Sequence, residues 1–435
     1  MALDRDGQFK PAGPPAWTDR PSRTVARTCP FSPQAANEDE LAAALFPHAH
    51  SGDAMTGRYL SALVGHAAQG AFRENGSSGG MASWIAAELL RRGLVDGVAH
   101  VVPRAPTPQD GRLFAYGISR DVEALNAGAK SRYYPVELSA VLREIAEVPG
   151  RYAVIGIPCF IKAVNLWRRE NPVLADRIAF TIGLFCGHMK SAHMAGSFAW
   201  QSGIAPARLA AIDYRHKQAD RPANWYAARL LAQDGASRVA DWWNLVDGDW
   251  GAGFFMNSAC NFCDDVMAET ADIALGDAWL EPYSSDGRGT NVVVVRSAAM
   301  EQLVAEGIAQ GALSLSPVDA DFVARTQAAG LRQRREGLAY RLAITPLAMT
   351  PRKRVVPSRA MPARRKLIYR MRMAISRWSV RAYRAARVLR WRGLYTGWAR
   401  LALAAYHGLA YSRGRLGKLV DRVIDPARTG GDQAA

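Results

Sequence analysis

Cys260 and Cys263 stand two residues apart in CNFC, a spacing that lets two thiolates from one turn reach the same metal or cluster. Cys29, Cys159 and Cys186 complete the set of five. Close pairs of this kind also occur in thioredoxin-like redox motifs and as half of a zinc site. The first is expected early in a βαβ unit, and the second needs two more ligands close by, where this chain has no second pair. Four thiolates, one close pair and two remote members, suit a [4Fe-4S] cluster, which need not draw its ligands from one run. The competing reading makes Cys159 and Cys186 buried core thiols and leaves the close pair on zinc or on nothing. Cys29 is left over, able to replace either remote ligand. An odd count scattered over a long chain argues against a disulfide framework.

A second candidate is the string NGSSGG, Asn75 to Gly80, directly before a helical pattern. Its glycines permit close backbone approach, its serines can cap free amides, and a helix N-terminus seats anions. The string lacks the Lys-Ser/Thr ending of a P-loop and the spacing of a Rossmann fingerprint, so a plain N-cap after a loop competes with a phosphate seat. Among the histidines, His66, His188, His193 and His216 are candidate proton donors, with His188 preferred because it follows Cys186 closely.

These residues need elements to hold them. The pattern predicts a helix at Glu38–Phe46, a helix at Met81–Arg92 closed by Gly93, a strand at Gly97–Val102, a helix at Pro135–Glu147 and a strand at Tyr152–Ile157. A helix of about ten residues follows Cys159, then a strand at Ala179–Phe185 that ends at Cys186. The two remote cysteines therefore fall just after consecutive strand ends, where α/β sheets bind ligands. Residues 208–245 read as antiparallel strands, and Asp272–Gly276 and Asn291–Arg296 as further strands. The expected class is α/β with mixed α+β character in the second half. The expected divisions are an arm at 1–55, an α/β domain at 56–148, a cluster- and flavin-binding domain at 149–346, and a basic helical tail at 347–435.

Charge is confined to that tail. Residues 351–435 hold 21 Lys or Arg against three Asp, whereas the first 350 residues hold 34 basic and 36 acidic side chains. The polar, proline-rich start does not read as a signal peptide, and no run is long and apolar enough to span a bilayer. In the tail, arginine alternates with Leu367, Ile368, Tyr369, Ile375, Trp378, Leu389, Trp391 and Trp398. Such helices commonly lie along an anionic membrane surface, against which stands a solvated, partly disordered extension. Nucleic-acid binding has no reading motif behind it.

Taken in order, CPF at 29–31, GRYLSALVGHA at 57–67, RENGSSGGMASWIAAELLRRGLVDGV at 73–98, AKSRYYPVELSAVL at 129–142, VIGIPCFIKAV at 154–164, IGLFCGHMKS at 182–191, CNFCDD at 260–265 and ADIALGDAWL at 271–280 resemble one family. It is the beta-subunit family of deazaflavin (coenzyme F-420) hydrogenases and dehydrogenases, which includes chlorophyll-biosynthesis reductases and polysaccharide-cluster homologues. The resemblance implies an FAD, one iron–sulfur cluster, and electron transfer between a two-electron donor or acceptor and a one-electron carrier. It places the cluster on Cys159, Cys186, Cys260 and Cys263. It places flavin or substrate contacts at Asn75, Ser77, Ser78, Gly79 and Gly80, at Lys130, Ser131, Arg132 and Tyr133, and at Asp277. Some relatives carry a second cluster at the N-terminus; five cysteines cannot hold two. The expected partner is a ferredoxin-like protein or partner subunit, with an anionic membrane surface for the tail. The expected location is cytoplasmic, peripheral at the inner membrane face. The rival is a non-catalytic, membrane-surface accessory protein linked to polysaccharide biosynthesis.

Overall fold

Val292–Val295 form an unbroken β-branched run in which every valine is fully buried, the composition of a strand covered on both faces. That run is β12 (Asn291–Val295) of a computed structural model that describes residues 1–50, 54–107, 109–218, 220–346 and 350–424. The other strands are β1 (Ala2–Leu3), β2 (Phe9–Lys10), β3 (Ser61–Ala67), β4 (Gly97–Pro103), β5 (Phe114–Ser119), β6 (Tyr152–Gly156) and β7 (Ile178–Leu184). After them come β8 (Leu209–His216), β9 (Ala227–Ala232), β10 (Ser237–Asp241), β11 (Ile273–Asp277) and β13 (Leu313–Pro317). Eight of them make one mixed sheet in the order β13-β3-β12-β11-β7-β6-β4-β5, and β8, β9 and β10 form a separate antiparallel sheet.

Within the large sheet β4, β6, β7 and β11 run parallel, flanked by antiparallel strands on either side. Parallel strands bring their carboxyl ends to one edge, where ligands gather. The register is specific. Gly156, Gly183 and Ala274 pair side by side, so Cys159, Cys186 and Asp277 each lie three residues past the same row. The fold thus gathers at one edge residues far apart in sequence.

Most elements fall where the sequence puts them, with instructive shifts. The helix after β6 begins at Pro158, which occupies its first turn and lacks the amide that turn cannot use, so Cys159 sits inside the helix. The helix expected from Pro135 starts only at Ser139, because Tyr134 and Val136 are drawn into the core as irregular backbone. Strands β3, β5 and β13 lie in segments for which no strand was specified. The expected division at residue 148 does not separate two sheets: β3, from the first half, lies between β12 and β13 from the second.

The tail is folded against the body. Helices span Ala363–Val388, Arg392–Tyr411 and Gly414–Ile424, and residues 347–349 and 425–435 lie outside the described residues. Ile368, Tyr369, Ile375, Val380, Tyr383 and Tyr395 are buried in the same core cluster as Phe254 and Phe255 or beside it. Ser379 Oγ accepts from the Phe255 amide at 2.9 Å, and Ser376 Oγ donates to Met256 O at 2.9 Å. This corrects the expectation of a solvated extension, since burying such side chains stabilises by about 2 kcal/mol each. It also takes much of the predicted membrane-facing apolar stripe out of reach of any membrane.

Candidate functional site

Four elements converge on the thiols. The helix Pro158–Glu170 carries Cys159 in its first turn, and β7 runs into Cys186, whose amide donates to Val266 O at 2.9 Å. The short 3-10 turn Ser258–Phe262 holds Cys260, capped by Asn257, and Cys263 ends it. Arg334, at the end of the helix Ala328–Arg334 and 1% exposed, donates to Cys260 O at 3.3 Å and Cys186 O at 3.2 Å. Burial disfavours its charge, and Cys263, Cys186, Cys260 and Cys159 outweigh that and hold the guanidinium protonated.

Burial pushes every one of these thiols up, Cys186 to about 12. The other cysteines push Cys159 and Cys186 further, while Arg334 pulls all four back. Cys263 is buried and Cys159, Cys186 and Cys260 are half-buried, and thiolates that repel one another there are costly unless a cation binds them. The donor set fits an iron–sulfur cluster. Among the described residues no three or more His, Cys, Asp or Glu side chains are close enough to hold a single metal ion. The Met189 amide already donates to Cys260 Sγ at 3.3 Å, a bond of the type that tunes cluster sulfurs. Cys29 follows the helix Arg23–Thr28, and the strongest charges on the four thiols do not include it.

His188 is 5% exposed and stacks on Trp250 with ring centroids 4.2 Å apart. Burial first, then Lys190, Arg372 and Arg334, holds it well below the ordinary histidine range, so the imidazole is neutral. Lys190, 4.5 Å over the same Trp250 ring, donates to Phe254 O at 2.7 Å and is pushed down to about 7 by burial. The placement makes His188 part of the chamber wall.

The predicted flavin residues meet in a second place. Ser77 Oγ accepts from the Ser131 amide at 2.7 Å, which ties the NGSSGG loop to the 129–134 segment. Lys130 has φ +92°, a conformation non-glycine residues rarely take and one often found at ligand sites. It pairs with Asp213 at 3.3 Å. Asp277 receives a forked pair from buried Arg215 at 2.9 and 3.3 Å, and Tyr226 lies under that guanidinium at 4.5 Å. Tyr133 stands 4.8 Å from Trp250, linking this region to the wall of the cysteine chamber. Arg132 lies over Phe114 and donates to Ala129 O.

Ser77, Arg215, Lys217, Trp225, Tyr226 and Gly289 line a narrow cleft with a cavity of about 10 Å³, room for a single water. Arg215 Nε and Gln218 Oε1, both at this cleft, are buried without a partner. Cations and flat aromatic walls with orphaned polar atoms have the chemistry to meet an anionic aromatic group, although the cleft as it stands is closed to anything larger than water. The expected pyrophosphate seat is differently used. The Met81 amide, first in its helix, donates to Asn291 Oδ1 at 3.2 Å. A Cβ at Gly79 would come 2.8 Å from Gly65 O, and one at Gly80, φ +80°, 2.3 Å from Phe72 O. These glycines serve the packing of the loop on its neighbours. Ser78 Oγ turns inward to Thr290 O at 2.9 Å, and Asn75 is exposed at the end of its short helix.

Arg334, Lys190, Trp250, Arg215 and Lys217 escape the sequence reading. Only the Lys190 position lies in a quoted motif, and nothing in spacing ties the others to cysteines so remote.

The α/β sheet sets Cys159 and Cys186 just past the ends of two parallel strands, a 3-10 turn carries Cys260 and Cys263, and a cationic aromatic cleft completes the site. The chain belongs to the coenzyme F420 hydrogenase/dehydrogenase beta subunit family: residues 62–143 match the family's N-terminal region and residues 150–321 its C-terminal region. No curated protein matches it. It is similar in fold to a chain of the F420-reducing [NiFe] hydrogenase complex from Methanosarcina barkeri, solved as a xenon derivative. The TM-score is 0.52 at 16% identity, over 70% of this chain and 99% of that one.

Proposed function

We propose that this protein is an iron–sulfur flavoprotein oxidoreductase, with one [4Fe-4S] cluster on Cys159, Cys186, Cys260 and Cys263 and an FAD at the Arg215–Lys217 cleft. Family membership supports an oxidoreductase role in electron transfer. The observation that carries the reading further is Arg334, buried between the cysteine-bearing turns and donating to the carbonyls of both Cys260 and Cys186. When bound, a flavin beside an iron–sulfur cluster exchanges a hydride on one side and single electrons on the other.

The chain's own residues set the conditions for that chemistry. Arg334 balances thiolate charge, and the backbone amide of Met189 supports Cys260. Arg215 presents its unpartnered Nε to an anionic cofactor, Lys217 holds the cleft floor by donating to three backbone carbonyls, and Trp225 and Tyr226 flank it. The neutral His188 and Trp250 close the space between the two sites and exclude water from it. A partner subunit or ferredoxin-like protein supplies or takes electrons; the structural neighbour's place in a multi-subunit complex supports this. The body works in the cytoplasm, with any membrane contact made by the tail. Among the described residues no helix is long and apolar enough to cross a bilayer.

Anaerobic mixing with a reduced one-electron viologen tests the reading. Bleaching of the flavin band through the protein, lost in Cys260→Ser/Cys263→Ser, is expected. Equal bleaching rates in both proteins would remove the cluster from the path. The rival accessory role would show as a bound flavin that no donor reduces.

A further inference from the structure

The two long tail helices turn on each other at residues 389–391, and this corner is unlike the rest of the tail. Val388, Leu389 and Trp391 are 82%, 63% and 60% exposed, and Arg387, Arg390 and Arg392 are interleaved with them. Arg390 has φ +53°, which turns the chain sharply and holds the corner outward. Trp378 is 51% exposed, with the Arg381 guanidinium 5.1 Å over its ring. It shares a helical face with Arg381, Ala385 and Val388, about 15 Å back along the axis at 1.5 Å per residue.

We infer that this corner docks the protein on an anionic phospholipid surface, with Val388, Leu389 and Trp391 entering the interface and the surrounding arginines binding headgroups. The inference is independent of the cofactors and goes beyond the redox reading. Charge selects the occupant. From 363 to 411 there are twelve Lys or Arg and no Asp or Glu. Ion pairs to other segments engage Arg364, Arg365 and Arg384. Among the described residues Arg377, Arg381, Arg390 and Arg400 have no carboxylate partner. A run of cations with no carboxylate, set around an exposed apolar and tryptophan insert, is what a fluid anionic surface requires. Tryptophan suits the level of the headgroups, where one end of the ring is wet. The stripe through Ile368, Ile375 and Tyr395 is buried and contributes nothing to the contact.

Co-sedimentation of the full chain with phosphatidylcholine vesicles, alone or with one quarter phosphatidylglycerol, tests this. Binding only to the anionic vesicles, reversed by high salt, is expected. Val388→Ser/Leu389→Ser/Trp391→Ser should weaken it at least tenfold with an unchanged melting temperature and unchanged iron and flavin content. Trp243→Ser, comparably exposed in the 3-10 turn after β10, should bind as wild type. Equal partitioning to both vesicles, undiminished binding by the triple variant, or binding to duplex DNA but not to vesicles would overturn the inference.

Discussion

Around the cysteines the turns are held by charged side chains reaching in from distant elements, whereas the cationic cleft is held by one lysine on backbone carbonyls; both keep buried polar atoms without partners, Arg334 Nε and His188 Nε2 in the first and Arg215 Nε and Gln218 Oε1 in the second. Arg334 joins the turns that carry Cys186 and Cys260, and the acidic pair after Cys263 is locked from the tail side. Asp264 is fully buried, with Lys353 Nζ at 3.0 Å, and the Arg354 amide donates to it at 3.1 Å. The cleft instead is floored by Lys217, whose Nζ donates to the carbonyls of Arg73, Ser78 and Arg288, and its Arg215 Nε has no partner. The difference teaches that the cysteine turns depend on ion pairs and hydrogen bonds from distant elements, whereas the shape of the cleft depends on Lys217 alone.

The contrast breaks most visibly at the thiols. Cys260→Ser/Cys263→Ser should lose all of about four irons per chain while flavin stays bound, measured by iron and flavin assay. Retained iron would remove the pair from the ligand set.

Next comes the lock. Asp264→Asn leaves Lys353 buried beside a neutral group and should cost about 3–5 kcal/mol in denaturant unfolding. The pH dependence has a definite sign. Lys353 and Arg354 outweigh burial and hold the Asp264 carboxyl below its ordinary 3.8, so its contribution is present above that pH and lost as pH falls. The gap between wild type and Asp264→Asn should therefore narrow below about pH 3. Asp265 acts oppositely. Burial, Glu269 and Glu38 push it up to about 7, so its stabilisation is full below 3.8 and is lost as pH rises toward 7. A gap constant from pH 2 to pH 7 would show the lock to be unimportant.

A smaller effect sharpens the cleft's side. Lys217→Met should weaken FAD binding about tenfold, near 1.4 kcal/mol, by fluorescence titration, and leave iron untouched. Loss of iron there would show the sites to be one structural unit. Smallest of all, Cys29→Ser should change neither iron content nor stability by more than about 0.5 kcal/mol.

The sequence carried the strands and their ends because those signals are local. Gly93 closes its helix with φ +62°, and the valine run at 292–295 is the strand it resembles. The four thiols were legible as a set only through their order and spacing. Their gathering depends on the register of β6 beside β7 and on Arg334, a contact across 148 residues from Cys186 that no periodicity announces. The helix N-terminus at Met81 was read as open because its cap, Asn291, lies 210 residues away. The tail's helices and amphipathic pattern are legible, but that one apolar face packs on the body's own Phe254 and Phe255 is not, for the same reason.

The most direct measurement is the iron, sulfide, zinc and flavin content of anaerobically purified protein, with its visible spectrum. The account predicts about four irons and four sulfides per chain, one FAD, and flavin bands on a broad iron–sulfur shoulder. One zinc and no sulfide, or protein that stays colourless after reconstitution, would contradict it.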